Sequence, residues 1–108
     1  MTEEQFDLIV ESRLTQIKNT LLIKGKEYRR NSDPLHNFNE ASRILNCTPS
    51  KALLGFATKH LVSILDIIED HSKGNLSNVD SLNEKIGDMI NYLILLEATL
   101  TNDIIDVK

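Results

Sequence analysis

Residues 84–96 read EKIGDMINYLILL, the most apolar helix-length run in this chain. At 100° per residue its apolar side chains spread over most of the helix circumference, which predicts a helix enclosed on nearly all sides. Glu84, Asp88 and Asn91 share the remaining polar stripe because they lie at positions i, i+4 and i+7. Two carboxylates one turn apart repel each other, and burial strengthens the repulsion. We therefore expect a metal ion, a Lys or Arg side chain, or a proton to face them.

A structural role for these acids stays open. The run Ser81-Leu82-Asn83-Glu84 matches a capping box, in which Glu84 would bond back to the helix start. Asp88 lies one turn too deep for that role, but it could pair with a single structural Arg or Lys.

Length and composition limit the fold and the partners. The chain has 108 residues, which suits one domain with one core over residues 1–108. Its net charge of −4 disfavours duplex nucleic acid and anionic membranes as partners. Cys47 is the only cysteine, no apolar run reaches the roughly 18 residues of a membrane span, and no signal sequence opens the chain. These features predict a cytoplasmic protein.

The apolar periodicity predicts an all-α fold. We expect helices near 3–23, 34–46, 49–72 and 78–100, packed as a four-helix antiparallel bundle, with residues 101–108 as a tail. Thr2, Asp33 and Thr48 carry N-cap signals, and Asn46 and Gly74 carry stop signals. The last helix is more apolar than four short helices can cover. The chain is therefore expected to form a homodimer or a higher homo-oligomer.

A polar and basic segment follows the first helix. It contains Lys24, Lys26, Arg29 and Arg30, the only dense positive cluster in an acidic chain, with Gly25 between two of the lysines. Such a segment is usually solvated surface. Its cations, and backbone N–H groups that a glycine leaves accessible, could nevertheless bind phosphate.

The third predicted helix also carries a polar edge, formed by Lys59, Ser63, Asp66 and Asp70 with His60 beside it. A single histidine on an apolar helix is more often a hydrogen-bonded core residue than a ligand. Two helices packed antiparallel across residues 75–80 would, however, bring this edge to face the stripe of Glu84 and Asp88.

The chain resembles a group of small phage and prophage proteins over roughly residues 20–97. The shared pattern is Lys24-Gly25-Lys26-Glu27-Tyr28, Asn37-Phe38, Lys59-His60 with Ser63-Ile64 and Asp66, and Glu84-Lys85-Ile86-Gly87-Asp88 with Asn91-Tyr92-Leu93. More distantly, the acidic apolar helix is similar to the last metal-binding helix of the MazG-like all-α nucleoside triphosphate pyrophosphohydrolases. Those enzymes are helical dimers or tetramers that hold Mg²⁺ on a Glu-x-x-Glu pair and a Glu-x-x-Asp pair.

The resemblance implies a site with three kinds of residues. Asp66, Glu84 and Asp88 would bind Mg²⁺, and His60, Glu84 and Asp88 would be catalytic. The substrate would be held by a larger set: Lys24, Lys26, Arg30, Lys59, Asn91 and Tyr92. The chain departs from the enzyme pattern because Lys59, His60, Ser63 and Asp66 replace Glu-x-x-Glu, and because Glu84 and Asp88 are four residues apart.

Three functions follow as alternatives. The first is a magnesium-dependent nucleoside triphosphate pyrophosphohydrolase, or a degenerate relative of one. The second is a non-catalytic phage protein that binds and sequesters a nucleotide, including one used by host defence. The third is an oligomeric interaction protein whose polar stripes fix the helix register.

Overall fold

The computed structural model describes residues 1–106, apart from the side chain of Tyr28. Four α-helices follow one another: α1 (Glu3–Ile17), α2 (His36–Leu45), α3 (Pro49–Ser72) and α4 (Val79–Asp106). A π-helix (Lys18–Ile23) and a 3₁₀-helix (Lys24–Tyr28) follow α1. Across residues 1–106 there is no strand, only an isolated bridge between Arg30 and Asp33. The all-α prediction is confirmed.

Several helix ends lie where the sequence predicts them. Thr2 accepts from the backbone N–H of Gln5, whose side chain accepts from the backbone N–H of Thr2, a complete capping box. Thr48 caps α3, with Pro49 as its first helical residue. Asn46 takes the left-handed conformation after α2 (φ 54°), and Gly74 does the same after α3 (φ 83°).

The start of α2 and the predicted capping box of α4 are wrong. Helix α2 begins at His36 and not at Pro34, because Asp33 accepts from the backbone N–H of Leu35 and closes a turn there. Helix α4 begins at Val79. The residue before it, Asn78, accepts from the backbone N–H of Ser81, so Glu84 lies inside the helix and forms no capping box.

Both terminal helices differ from their predicted lengths. Regular α-helix ends at Ile17, and the predicted remainder of the first helix, Lys18–Ile23, is a π-helix. Helix α4 runs to Asp106 and not to residue 100, so residues 101–106 of the predicted tail are helical. Residues 107–108 of that tail lie outside the described range. No described helix is long and apolar enough to cross a membrane.

Helices α3 and α4 pack antiparallel and form the main contact of the fold, and α2 packs on α3. The buried cluster of Leu35, Phe38 and Leu53 is extended by Tyr92, Leu95 and Leu96 of α4. Phe38 contacts Phe56 and Tyr92 edge-on, with ring centroids 6.1 and 6.5 Å apart. The core is therefore small and lies toward the N-terminal half of α3.

Helix α1 runs parallel to α4, unlike the antiparallel packing predicted for the bundle. Ile9 and Val10 lie beside Val79 and Leu82, and farther along Thr20 lies beside Asn91. The connection through α2 and α3 is long enough to return the chain to the same end. The radius of gyration is 16.3 Å, against about 13 Å for a compact chain of this length. The single chain is elongated, and Leu93 of α4 remains 52 % exposed.

Candidate functional site

A polar cavity of about 190 Å³ lies between α1 and α4. Its α4 side includes the predicted stripe of Glu84, Asp88 and Asn91. Both acids therefore face a common space, as the helical spacing predicts. The remaining lining residues are Arg13, Gln16, Ile17, Thr20, Asn83 and Gly87.

Arg13 of α1 reaches across this cavity to α4. Its Nη2 donates to the backbone carbonyl of Asn83 (3.1 Å), and its Nη1 donates to Oε1 of Gln16 (2.8 Å). The guanidinium lies directly over Gly87, where any Cβ atom would clash with Nη1. Gly87 is buried, and its lack of a side chain lets the cation lie close to the α4 backbone. Arg13 thus supplies positive charge to the cavity that holds Glu84 and Asp88.

His60 of α3 lies on the other side of Asp88. Its Nδ1 is 3.5 Å from Oδ2 of Asp88, which is ion-pair distance when the imidazole is protonated. The His60 side chain is 14 % exposed, and that of Asp88 is 40 % exposed. Antiparallel packing of α3 and α4 therefore brings His60 to Asp88.

Tyr92 lies one turn beyond Asp88 and packs on the His60 ring, with centroids 5.0 Å apart and the planes tilted by 32°. Burial raises the pKa of the Tyr92 hydroxyl, and the negative charge of Asp88 raises it further. His60, Asp88 and Tyr92 form a connected polar cluster that joins the two central helices.

Asn91 has an unmet hydrogen-bonding capacity. Its Oδ1 is buried and has no hydrogen-bond partner, although buried polar atoms are nearly always paired. Leaving such an acceptor unpaired costs about 1–3 kcal/mol.

A second, larger cavity of about 520 Å³ lies farther along α4. Thr20 lines both cavities, so the two adjoin at this residue, and we refer to the two cavities together as the groove. Lys24, Arg29 and Asn37 supply its polar groups. The other walls are largely apolar: Leu21, Leu22, Gly25, Pro34, Phe38, Ile94, Leu95 and Ala98.

The irregular helical turns place the two cations of this second cavity. A π-helix is rare and carries an extra residue per turn, which changes the direction of the side chains that follow. Arg29 is anchored because its Nη2 donates to the carbonyl of Leu21 (3.3 Å). A Cβ at Gly25 would lie 3.1 Å from the carbonyl oxygen of Thr20, so glycine suits this close turn.

The remaining predicted site residues lie outside the two cavities. Lys26 and Arg30 belong to the same basic segment as Lys24 but line neither cavity. Lys59 and Asp66 are exposed on the polar edge of α3. The structure therefore brings together Lys24, Glu84, Asp88 and Asn91 along the groove, with His60 and Tyr92 beside Asp88.

The donor set for a metal ion is smaller than the resemblance implies. Glu84 and Asp88 line one cavity, and Asp66 does not. Among residues 1–106, no group of three or more His, Cys, Asp or Glu side chains is arranged to hold a metal ion. Of the three carboxylates predicted to bind the metal, only Glu84 and Asp88 line the same cavity in the described part of the chain.

Arg13, Gln16, Thr20 and Asn83 are cavity residues that the sequence patterns did not single out. The sequence does contain one indication of Arg13. It lies four residues after Ile9 and four before Ile17, so it places a charge within the apolar stripe of α1. Gln16, Thr20 and Asn83 have no comparable signal. Their position follows from the parallel packing of α1 on α4.

Comparison with protein-family models, with curated proteins and with solved structures finds no match for this chain.

Proposed function

We propose that this chain binds a nucleoside phosphate along the groove formed by the two neighbouring cavities. The observation that carries the proposal is that one groove combines an apolar compartment, two cations and a cluster of hydrogen-bonding groups. A nucleotide needs all three, because its base is flat and largely apolar, its phosphates are anionic, and its edges are polar.

The apolar cavity supports the binding of a base. Phe38, Leu95 and Ile94 provide a surface for an aromatic ring, and Asn37 provides an amide for its polar edge. Lys24 and Arg29 lie on the same cavity and provide the positive charge that phosphates require. In a chain of net charge −4, such local cations are what would make a phosphate site possible.

The polar cavity supports contacts at the other end of the groove. Arg13 carries the guanidinium, and the amide-bearing residues Gln16, Asn83 and Asn91 line the same cavity. The carboxylates of Glu84 and Asp88 would repel a phosphate unless a cation lies between them. We therefore place the phosphates nearer Lys24 and Arg29 than Glu84.

Isothermal titration with ribo- and deoxyribonucleoside triphosphates, with and without a chelator, tests this function. We expect saturable binding of at least one nucleotide, and a loss of at least tenfold in affinity when Lys24 and Arg29 are both replaced by Ala. Lys51→Ala is the matched control, because Lys51 is an exposed lysine in the first turn of α3 that lines neither cavity. Absence of binding across the panel would refute the function.

A magnesium-dependent pyrophosphohydrolase is the second candidate, and the shared cavity of Glu84 and Asp88 favours it. These two carboxylates would hold Mg²⁺, and its octahedral shell would be completed by waters and phosphate oxygens. Bound Mg²⁺ supplies neutralisation of phosphate charge and polarisation of a water. Release of nucleoside monophosphate and pyrophosphate, abolished by Glu84→Gln, would establish it. Binding without turnover would leave the chain as a protein that sequesters the nucleotide.

We propose further that the antiparallel four-helix bundle forms in a homo-oligomer and not within one chain. The support is the small core and the many large apolar side chains that stay exposed on α1, α3 and α4.

A further inference from the structure

A further cavity of about 520 Å³ adjoins the groove, and we call it the third cavity. Pro34, Ile94 and Ala98 line both the third cavity and the apolar cavity of the groove. Among the described residues, none lines both the third cavity and the polar cavity. The apolar cavity therefore lies between the other two.

All three cavities follow one stripe of α4. A step of seven residues returns a helix to within about 20° of the same direction, and four residues recur at this step: Glu84, Asn91, Ala98 and Ile105. The first two line the polar cavity, Ala98 lines the apolar and third cavities, and Ile105 lines the third cavity. One extended ligand can therefore contact all three cavities along α4.

The charged groups along this path change sign twice. In the polar cavity, the carboxylates of Glu84 and Asp88 outnumber the single guanidinium. The charged residues that line the apolar cavity are Lys24 and Arg29, and the described part of the third cavity has Glu97. A ligand that matches this order carries its negative charge in the middle and none at either end. A nucleoside triphosphate instead carries all its charge at one end.

The cations of the apolar cavity lie close to the third cavity. Arg30 and Asp33 form an isolated antiparallel bridge, and the backbone N–H of Asp33 donates to the carbonyl of Arg30 (2.9 Å). The residues on either side of this tight turn, Arg29 and Pro34, are therefore neighbours, and Pro34 lines the third cavity. A phosphate bound at Arg29 would lie near the boundary between the two cavities, and a group joined to it could enter the third.

The third cavity suits an uncharged group with polar edges. Its apolar walls include Leu35 and Ile105, and its polar groups come from Glu97, Thr101 and Asn102. The carboxylate of Glu97 would repel a phosphate, but it can accept from a ribose hydroxyl or from an amino group of a base. A second carboxylate lies nearby, because Oδ2 of Asp106 accepts from Nδ2 of Asn102 (3.3 Å). A nucleoside has the apolar faces and the donors that these residues require.

We propose that the ligand of the groove is a dinucleotide, in which two nucleosides are joined through phosphates. This inference rests on the proposed function. One base lies in the apolar cavity, the phosphates lie at Lys24 and Arg29, and the second nucleoside occupies the third cavity. The phosphates of such a ligand have an uncharged nucleoside on each side, so the charge stays between the acids at the two ends, Glu84 and Glu97.

Isothermal titration with matched pairs of ligands tests the proposal. For each of the four ribonucleobases, one ligand is the nucleoside 5′-diphosphate, and the other is the dinucleotide in which two such nucleosides share the two phosphates. We expect at least one dinucleotide to bind roughly tenfold or more tightly than its diphosphate, because the second nucleoside adds contacts in the third cavity. A panel in which no dinucleotide binds more tightly than its diphosphate would overturn the proposal.

Thr101→Trp tests whether the third cavity is the source of the difference. Thr58→Trp is the matched control, since both residues are exposed helical threonines whose hydroxyl donates to the carbonyl four residues earlier (2.7 Å in each). Thr101 lines the third cavity, whereas Thr58 lines none of the three. We expect Thr101→Trp to remove the roughly tenfold advantage of the dinucleotide, and Thr58→Trp to keep it. An advantage that survives Thr101→Trp, or that both variants lose, would overturn the proposal.

The same titrations separate this inference from the function on which it rests. Nucleoside diphosphates or triphosphates that bind as well as every dinucleotide would overturn the dinucleotide and leave nucleotide binding in place. Absence of binding by every ligand would overturn both.

Discussion

Arg13 and Gly87 form the contact on which the polar cavity depends. Arg13 donates to the carbonyl of Asn83, and the missing side chain of Gly87 makes room for the guanidinium. Glycine inside a helix is destabilising by roughly 0.5–1 kcal/mol relative to alanine. The presence of Gly87 inside α4 is thus explained by the close approach of Arg13.

Replacing the two α-helical glycines, Gly55 and Gly87, one at a time measures this contact. Gly55 in α3 has nothing within 4 Å of an added Cβ, so Gly55→Ala should stabilise the fold by about 0.5–1 kcal/mol. Gly87→Ala gains the same helix propensity, but the new methyl group displaces Arg13. The hydrogen bond from Arg13 to the carbonyl of Asn83, worth about 0.5–1.5 kcal/mol, is then lost. We expect Gly87→Ala to be less stable than Gly55→Ala in urea unfolding. Equal stabilisation would show that Arg13 contributes nothing at Gly87.

Tyr92 should make the stability of the fold depend on pH in the alkaline range. Its pKa is raised in the folded protein above the ordinary value of 10.0 by burial and by the charge of Asp88. The folded state therefore holds the hydroxyl proton more tightly than the unfolded state. This contribution to stability is fully present below pH 10.0 and is lost as the pH rises through the raised pKa.

Tyr92→Phe should remove that part of the pH dependence. We expect the free energy of unfolding of the native protein to fall more steeply above pH 10.0 than that of the variant. Urea unfolding of both proteins across the alkaline range measures the difference. Parallel curves would contradict a raised pKa for Tyr92.

Among the connecting elements, the π-helix Lys18–Ile23 has the largest consequence for the groove. It lies between Arg13, at one end of the groove, and Lys24 and Arg29 at the other. Because a π turn differs from an α turn by one residue, it sets the rotation of everything that follows. The position of the two cations thus depends on an irregular turn.

Inserting one alanine after Asn19 should lengthen this helical segment by one residue. The chain after it would rotate by about 100°, which would move Lys24 and Arg29 away from the apolar cavity. We expect retained helical content by circular dichroism and a loss of nucleotide binding, while Asn19→Ala, which keeps the length, binds as the native protein does. Unchanged binding after the insertion would show that the turn does not place these cations.

The elements differ in how well the sequence predicts them. Thr2, Thr48, Asn46 and Gly74 mark their helix ends correctly, because a cap is a local contact between neighbouring residues. The start of α2 is mispredicted because Asp33 can cap a helix or close a turn, and both use the same carboxylate. The π-helix has no sequence pattern of its own, since its i→i+5 bonds depend on packing.

The sequence predicts those parts of the site that depend on the geometry of one helix. Glu84, Asp88 and Asn91 share a cavity because their spacing fixes their common stripe. The contact of His60 with Asp88 follows from the short α3–α4 connection and the antiparallel pairing it forces. Arg13 of α1 enters the cavity 70 residues before Asn83 in sequence, and Thr20 enters it from the π-helix. No local pattern encodes that pairing or its parallel direction.

Over the whole chain, the groove lies on one side of the α3–α4 pair, and exposed leucines of that pair, Leu61 and Leu65 of α3 and Leu93 of α4, lie on the other. In the proposed homo-oligomer a second copy would cover those leucines and leave the groove accessible. The groove and the contact between copies would then share helices, so dissociation should lower the stability of both.

The central claim is that a nucleotide binds along the groove, and backbone amide shifts in heteronuclear NMR test it most directly. Titration with the triphosphate that binds best should shift amides of Arg13, Thr20, Lys24 and Asn91 together, while amides near Ile44 stay unchanged. Saturable shifts confined to the residues of the two cavities are the predicted result. Shifts confined to the exposed Leu61 and Leu65 of α3, or none at concentrations that saturate binding, would contradict the claim.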